Sequence, residues 1–150
     1  MTGGAKSIFV DTNILVYANI ASSPFHNAAK SAIETYSEKD VTLWISRQVI
    51  REYLTVVTRP QTFASPLSSV EATKQIQTFM NLFHVADENV TVTEHLLDLL
   101  QQISTAGKQV HDTNIVATML TYNISTLLTY NTADFTRFSD YITLLSLESV

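Results

Sequence analysis

The chain has 150 residues, about one ordinary domain, and 45% of them are hydrophobic, enough to bury a full core. Only 15% are charged, against roughly 25% in an average soluble domain, which argues against long disorder. The formal net charge of -5 argues against a protein whose main task is to coat nucleic acid, but not against an enzyme that meets nucleic acid through a metal ion and a few basic residues. There are no cysteines, so a disulfide scaffold, a zinc ribbon and a thiol enzyme are excluded, and any metal must be held by oxygen or imidazole. No apolar run approaches the roughly 18 residues of a membrane span. Residues 1–5 carry no apolar segment of the kind a signal peptide needs. The expectation is a cytoplasmic protein with no membrane role, folded as a single domain over 1–150.

The run Ser7-Ile8-Phe9-Val10-Asp11 reads as a strand that is apolar on both faces, as in a parallel sheet covered on both sides. A helix is predicted to follow through Ile14, Leu15, Val16 and Tyr17. Ser23-Pro24 has the form of a cap and first helical position, predicting a helix to about Ser37. Val41 to Ser46 reads as a second strand, and residues 47–58 as a helix ended near Arg59-Pro60. Ser68-Ser69-Val70-Glu71 is a capping box that opens a helix to about Leu82. Phe83 to Ala86 reads as a short strand. Residues 93–106 are amphipathic through Leu96, Leu97, Leu100 and Ile103, with Gly107 as their expected C-cap. Asp112 is expected to open a helix to about Asn123. Ser125 to Thr129 and Tyr141 to Leu147 read as the last two strands. Strands alternating with helices predict an α/β fold with a central, mainly parallel sheet between two helical layers.

In such sheets, ligands sit beyond the carboxyl ends of the strands. Asp11 ends the first strand, Asp112 opens a late helix and Asp134 follows the strand ending at Thr129, so a parallel sheet brings all three to one rim. Glu52 lies on the helix after the second strand. Asp11 and Asp112 could serve as helix caps, Asp134 as a turn residue and Glu52 as a solvated helix residue. At about 100° per residue, however, Asp112 points along the stripe of Ile115, Val116, Met119 and Leu120. A carboxylate aimed inward costs desolvation energy unless something pairs with it. Several half-buried acids on one rim call for a cation, and oxygen-only ligands favour Mg²⁺ or Mn²⁺. The four histidines show no metal spacing, and only His111 adjoins the acids.

Four stretches occur in a telling order. They are Asp11-Thr12-Asn13 after an apolar strand; Arg51-Glu52-Tyr53-Leu54; His111-Asp112-Thr113-Asn114-Ile115-Val116-Ala117; and Thr129-Tyr130-Asn131-Thr132-Ala133-Asp134-Phe135. The sequence resembles the PIN-domain nucleases, and within them the VapC-type toxins of bacterial toxin–antitoxin pairs, along nearly its whole length. The stretch Ser46-Arg47-Gln48-Val49-Ile50 also resembles what these proteins carry before the glutamate. The resemblance implies a three-layer α/β/α sandwich and a ribonuclease that hydrolyses RNA with Mg²⁺ or Mn²⁺. Asp11, Glu52, Asp112 and Asp134 would surround the metal, Asn13 would orient Asp11, and Thr129 and Asn131 would line the pocket. Some relatives carry the fourth acid where Asn131 stands and others where Asp134 stands; Asp134 is preferred, because an amide is a poorer ligand for a hard cation. The resemblance further implies a small antitoxin partner that lays an amphipathic segment in a groove, with walls expected near Tyr17, Tyr53 and Leu54, and it allows a homodimer.

Two rival classes are weighed. A phosphatase of the haloacid-dehalogenase type also ends its first strand with aspartate, but it needs a second aspartate two residues later, where this chain has Asn13. A non-catalytic α/β interaction module would use its acids only as caps and would bind no metal. A dinucleotide-binding domain is disfavoured, because no glycine-rich loop follows the first strand.

Overall fold

Every strand of the sheet is short and hydrophobic, and every pairing is parallel. The computed structural model describes residues 6–61 and 64–147. Residues 1–5, read above for the absence of a leader, lie outside them. The central strand β1, Lys6–Val10, runs from an exposed lysine to the fully buried Phe9 and Val10. On one side it pairs with β2, Val41–Ser46, in the register Ile8 to Leu43 and Phe9 to Trp44. On the other it pairs with β4, Thr126–Leu128, in the register Val10 to Leu128. The edge strands are β3, His84–Ala86, and β5, Thr143–Leu145, giving the order β3-β2-β1-β4-β5. The chain adds strands outward from β1 in one direction and then crosses back to β4. The switch point therefore lies between the ends of β1 and β4, where open α/β sheets form their crevice.

Helices flank this sheet in the three-layer arrangement expected from the alternating pattern. α1 (Thr12–Asn19) packs on α2 (His26–Glu38) and on α3 (Arg47–Val57), and α3 packs on α4 (Ser69–Leu82). α5 (Val90–Gln102) packs on α6 (Gln109–Thr121). The Ser68–Glu71 capping box forms in full: Ser68 Oγ accepts from Glu71 N at 3.1 Å, and Glu71 Oε1 accepts from Ser68 N at 3.2 Å. Among the described residues no helix is long and apolar enough to cross a membrane.

Several boundaries differ from the sequence expectation. α2 starts at His26 rather than at Ser23-Pro24. Ser23 instead closes a separate turn, its Oγ accepting from Phe25 N at 3.1 Å and its carbonyl from His26 N at 3.1 Å. α5 begins three residues earlier than expected, because Asn89 Oδ1 accepts from Val92 N at 3.1 Å, and it ends before Ile103. Gly107 is consequently no cap of α5; its φ of +59° belongs to the turn that leads into α6. α6 in turn begins at Gln109, so Asp112 lies inside its first turn and does not open it. β5 covers only Thr143–Leu145 of the expected 141–147. A 3₁₀ stretch over Thr132–Phe138, not foreseen, follows β4 and is anchored by the buried Phe135 and Phe138.

Candidate active site

Asp11 is the first residue past β1 and the N-cap of α1. Its Oδ1 accepts from Thr12 N at 2.8 Å, which satisfies one of the free amides at the helix start. Its Oδ2 accepts from Thr129 Oγ1 at 2.8 Å, at the end of β4, and from Asn13 Nδ2 at 3.4 Å. Thr129 is fully buried, and its hydroxyl also accepts from Asn131 N at 3.1 Å. Asn13 Oδ1 accepts from Tyr130 N at 3.1 Å. The β1 and β4 ends are thus stitched together across the switch point, with Asp11 in the middle. The cap reading of Asp11 is correct as far as it goes, but one backbone amide accounts for only part of its hydrogen bonding.

The second wall comes from α3 and α6. Ser46 caps α3, which places Glu52 over the cleft. Glu52 Oε1 accepts from Thr12 Oγ1 at 2.9 Å, and Oε2 from Gln48 Nε2 at 3.5 Å. Gln48 is only 4% exposed. Its Nε2 also donates to the carbonyl of His111 at 2.9 Å, and its Oε1 accepts from Asn114 Nδ2 at 2.7 Å. Gln48 therefore ties the glutamate on α3 to the turn of α6 that carries Asp112. Neither Gln48 nor Asn114 was assigned a role from sequence. The available signal was the polar residue Gln48 one helical turn before Glu52, in a segment otherwise rich in Val, Ile and Leu.

Asp11, Asn13, Glu52, Asp112 and Asn131 all line one cleft of about 570 Å³, a volume ordinary for a ligand site. Thr129 stands directly behind it, holding Asp11. His111 is on the lining as well. Asp134 is different: it sits exposed on the 3₁₀ stretch and is not on the cleft lining, whereas Asn131 is. Tyr53, expected in a groove wall, is fully buried, with its hydroxyl donating to Gln75 Oε1 at 2.6 Å and accepting from Asn19 Nδ2 at 2.7 Å.

The electrostatics are those of a site short of positive charge. Burial pushes the Asp11 carboxyl up to about 6; the Thr129 and Thr12 hydrogen bonds oppose the shift, and the charges of Glu52 and Asp112 add to it. Asp112 is likewise pushed up to about 6, first by desolvation and then by Asp134 and Glu52, with Arg137 and His111 pulling the other way. Among the described residues, no three acidic or histidine side chains converge on a single point. The acids ring the cleft. A Mg²⁺-like ion suits such a ring, because it takes one or two carboxylates directly and keeps several waters. The donors are oxygens of hard carboxylates, and a cation would offset both the burial that raises Asp11 and Asp112 and the smaller repulsion from their acidic neighbours, so the residues present fit a hard divalent ion.

Known proteins resemble the chain in family and in fold. The family model described as PIN domain matches residues 8–141. Ribonuclease VapC48 of Mycobacterium tuberculosis is 29% identical over 133 residues, covering 85% of this chain and 89% of the relative. Two solved structures share the fold. VapBC2 from Rickettsia felis, bound to a promoter DNA fragment, aligns at a TM-score of 0.68 and 22% identity, over 93% of this chain and 98% of the other. The sarcin–ricin loop cleaving toxin VapC20 of Mycobacterium tuberculosis aligns at 0.67 and 17% identity, over 91% and 96%.

Proposed function

The chain belongs to the PIN domain family, and from that premise we propose that it is a divalent-metal-dependent endoribonuclease, the toxin of a toxin–antitoxin pair. The observation that carries this reading is the ring of Asp11, Glu52 and Asp112 around one cleft at the β1–β4 switch point, with two of the three carboxyls raised to about 6. Asp11, Asp112 and Glu52 would hold Mg²⁺ or Mn²⁺ between them, no more than two directly and the rest through its waters, and Asp134 would add negative charge from the rim. Such an ion polarises a phosphodiester oxygen and lowers the pKa of a bound water.

The chain's own residues supply position. Thr129 and the Thr12 amide fix the Asp11 carboxylate from opposite sides. Thr12 and Gln48 hold Glu52, leaving it free to orient the attacking water. Arg59 lines the same cleft and offers a cation to the RNA backbone of an otherwise acidic protein, while Arg51, also on the lining, is paired with Glu88 at 3.2 Å. With water rather than the 2′-hydroxyl as nucleophile and the 3′-oxygen as leaving group, the P–O3′ bond would break and the products would carry 5′-phosphate and 3′-hydroxyl ends. RNA preference then rests on strand shape and access.

The partner reading rests on relatives that were solved as complexes with an antitoxin, VapBC from Rickettsia felis among them. A small antitoxin would bind this chain and block the cleft with a basic side chain.

The test is direct. Purified protein should cleave RNA with Mg²⁺ or Mn²⁺ and stop in EDTA, and Asp11→Asn should be inactive yet folded. Cleavage by Asp11→Asn at the wild-type rate would overturn the proposed centre. Co-expression with the product of an adjacent small reading frame should give a stable complex; failure of that product to co-purify would remove the toxin role and leave the nuclease.

A further inference from the structure

Three aromatic rings crowd one lip of the cleft. Phe25 and Tyr130 lie with centroids 4.4 Å apart at 49°, Tyr17 and Phe25 at 4.9 Å, and Tyr17 meets Tyr130 edge-on at 5.5 Å and 84°. They come from three places in the chain: the last turn of α1, the residue before α2, and the loop after β4. Tyr17 is on the cleft lining itself. Tyr130 lies between Thr129, which holds Asp11, and Asn131, which lines the cleft, and its amide donates to Asn13 at 3.1 Å. Its backbone is therefore part of the framework that fixes the carboxylates.

Tyr130 nonetheless keeps 40% of its surface exposed, the only aromatic side chain among the described residues that is both large and markedly exposed. Two rings brace it, and His26 Nδ1 meets the Tyr17 carbonyl at 3.0 Å, which pins the start of α2, and Phe25 with it, to α1. A rigid, half-exposed aromatic beside a phosphodiester-binding cleft is the arrangement by which single-stranded nucleic acid is held without sequence preference.

We propose that the Tyr17–Phe25–Tyr130 cluster is a stacking platform for an unpaired base of the RNA strand, adjacent to the phosphate that enters the carboxylate cleft. The proposal rests on the ribonuclease reading and adds the form of the substrate. Tyr130 offers a ring face to the base, Tyr17 and Phe25 hold that ring in place, and Arg59 on the cleft lining meets the phosphate backbone. A paired base has no free face, so duplex RNA gains nothing from the platform.

The experiment compares two strands of equal length and charge, oligoadenylate and an abasic ribose-phosphate polymer, by fluorescence anisotropy. It uses protein carrying Asp112→Asn so that nothing is cleaved. The expected result is at least about fivefold tighter binding of oligoadenylate, the lower end of what one base–aromatic stack contributes. Adding Tyr130→Leu should erase that preference while leaving abasic binding unchanged, and adding Tyr130→Phe should retain it. An equal preference with Tyr130→Leu, or no preference to begin with, would overturn the platform. So would a change of oligomeric state in Tyr130→Leu with the preference intact, which would make the cluster a protein contact. If the protein without Asp112→Asn cleaves RNA while the preference is absent, the platform alone falls. If it does not cleave and neither strand binds, the nuclease reading falls with it.

Discussion

Asp11 and Asp112 line the same cleft and have both been pushed to about 6, yet they are held in opposite ways. Asp11 sits at the junction of two central strands with three donors upon it and is 7% exposed. Asp112 lies in the first turn of a helix, half-buried, and among the described residues nothing donates a hydrogen bond to it. The first carboxylate is part of the framework as well as of the proposed centre; the second would serve the proposed chemistry alone. Such a cleft has one carboxylate fixed in place and one free to adjust, an arrangement that would suit a divalent ion if one were bound there.

The largest expected effect ignores this difference. Asp11→Asn and Asp112→Asn should each lower RNA cleavage by roughly 1,000-fold or more, on the order of 4 kcal/mol of transition-state stabilisation. Near-normal turnover by either variant would take that residue out of the centre.

Stability should separate the pair. Asp11→Ala removes a helix cap and leaves the buried Thr129 hydroxyl without its acceptor, while relieving a buried charge. The net cost should be about 2 kcal/mol, or roughly 4–8 °C in melting temperature. At about pH 4 in EDTA, where Asp112 is largely protonated, Asp112→Ala should stay within about 0.5 kcal/mol of wild type, as substitutions away from caps and buried networks do. Equal losses would mean that Asp112 has a structural partner after all.

Mg²⁺ sharpens the contrast. At a dissociation constant of roughly 1 mM and about 10 mM metal, wild type should gain on the order of 1.4 kcal/mol by mass action, a rise of about 3–6 °C. Asp112→Asn should show a much smaller rise, because a neutral amide replaces a hard anionic ligand. The same rise in both would place the ion elsewhere.

The smallest effect is in pH. A carboxyl whose folded pKa is about 6 and whose ordinary value is 3.8 binds more protons in the folded chain than in the unfolded one. Its contribution is fully present below about 3.8 and is lost as pH rises through 6. In EDTA, Asp112→Asn should therefore gain on wild type as pH rises from about 4 to 7, on the order of 1 kcal/mol once solvent screening of a half-buried group is allowed for. Denaturant curves at several pH values measure it; a difference that stays flat or falls would contradict the raised value.

Much of this was legible in the chain. The strands announced themselves as apolar runs between turn residues, and the order of the four acidic stretches identified the rim. Both signals are local or depend only on sequence order. What escaped was set by contacts between distant elements. Gln48 reads as an ordinary helix residue until α6 brings the His111 carbonyl and Asn114 against it. The 3₁₀ stretch around Asp134 depends on burying Phe135 and Phe138, which no short-range pattern reveals. The starts of α2, α5 and α6 went astray because Ser, Pro, Asn and Asp serve turns as readily as caps.

The position of β1 has a consequence for how the protein comes into being. One edge of β1 is covered by β4, far along the chain, and the hydrogen bond that fixes Asp11 comes from Thr129, 118 positions away. Pairing so remote in sequence is slow to form and leaves apolar strand edges open in the meantime. The carboxylate ring cannot assemble until β1, α3, α6 and the end of β4 have come together. It is thereby among the later features to form, and until then the edge of the central strand is open to other partners.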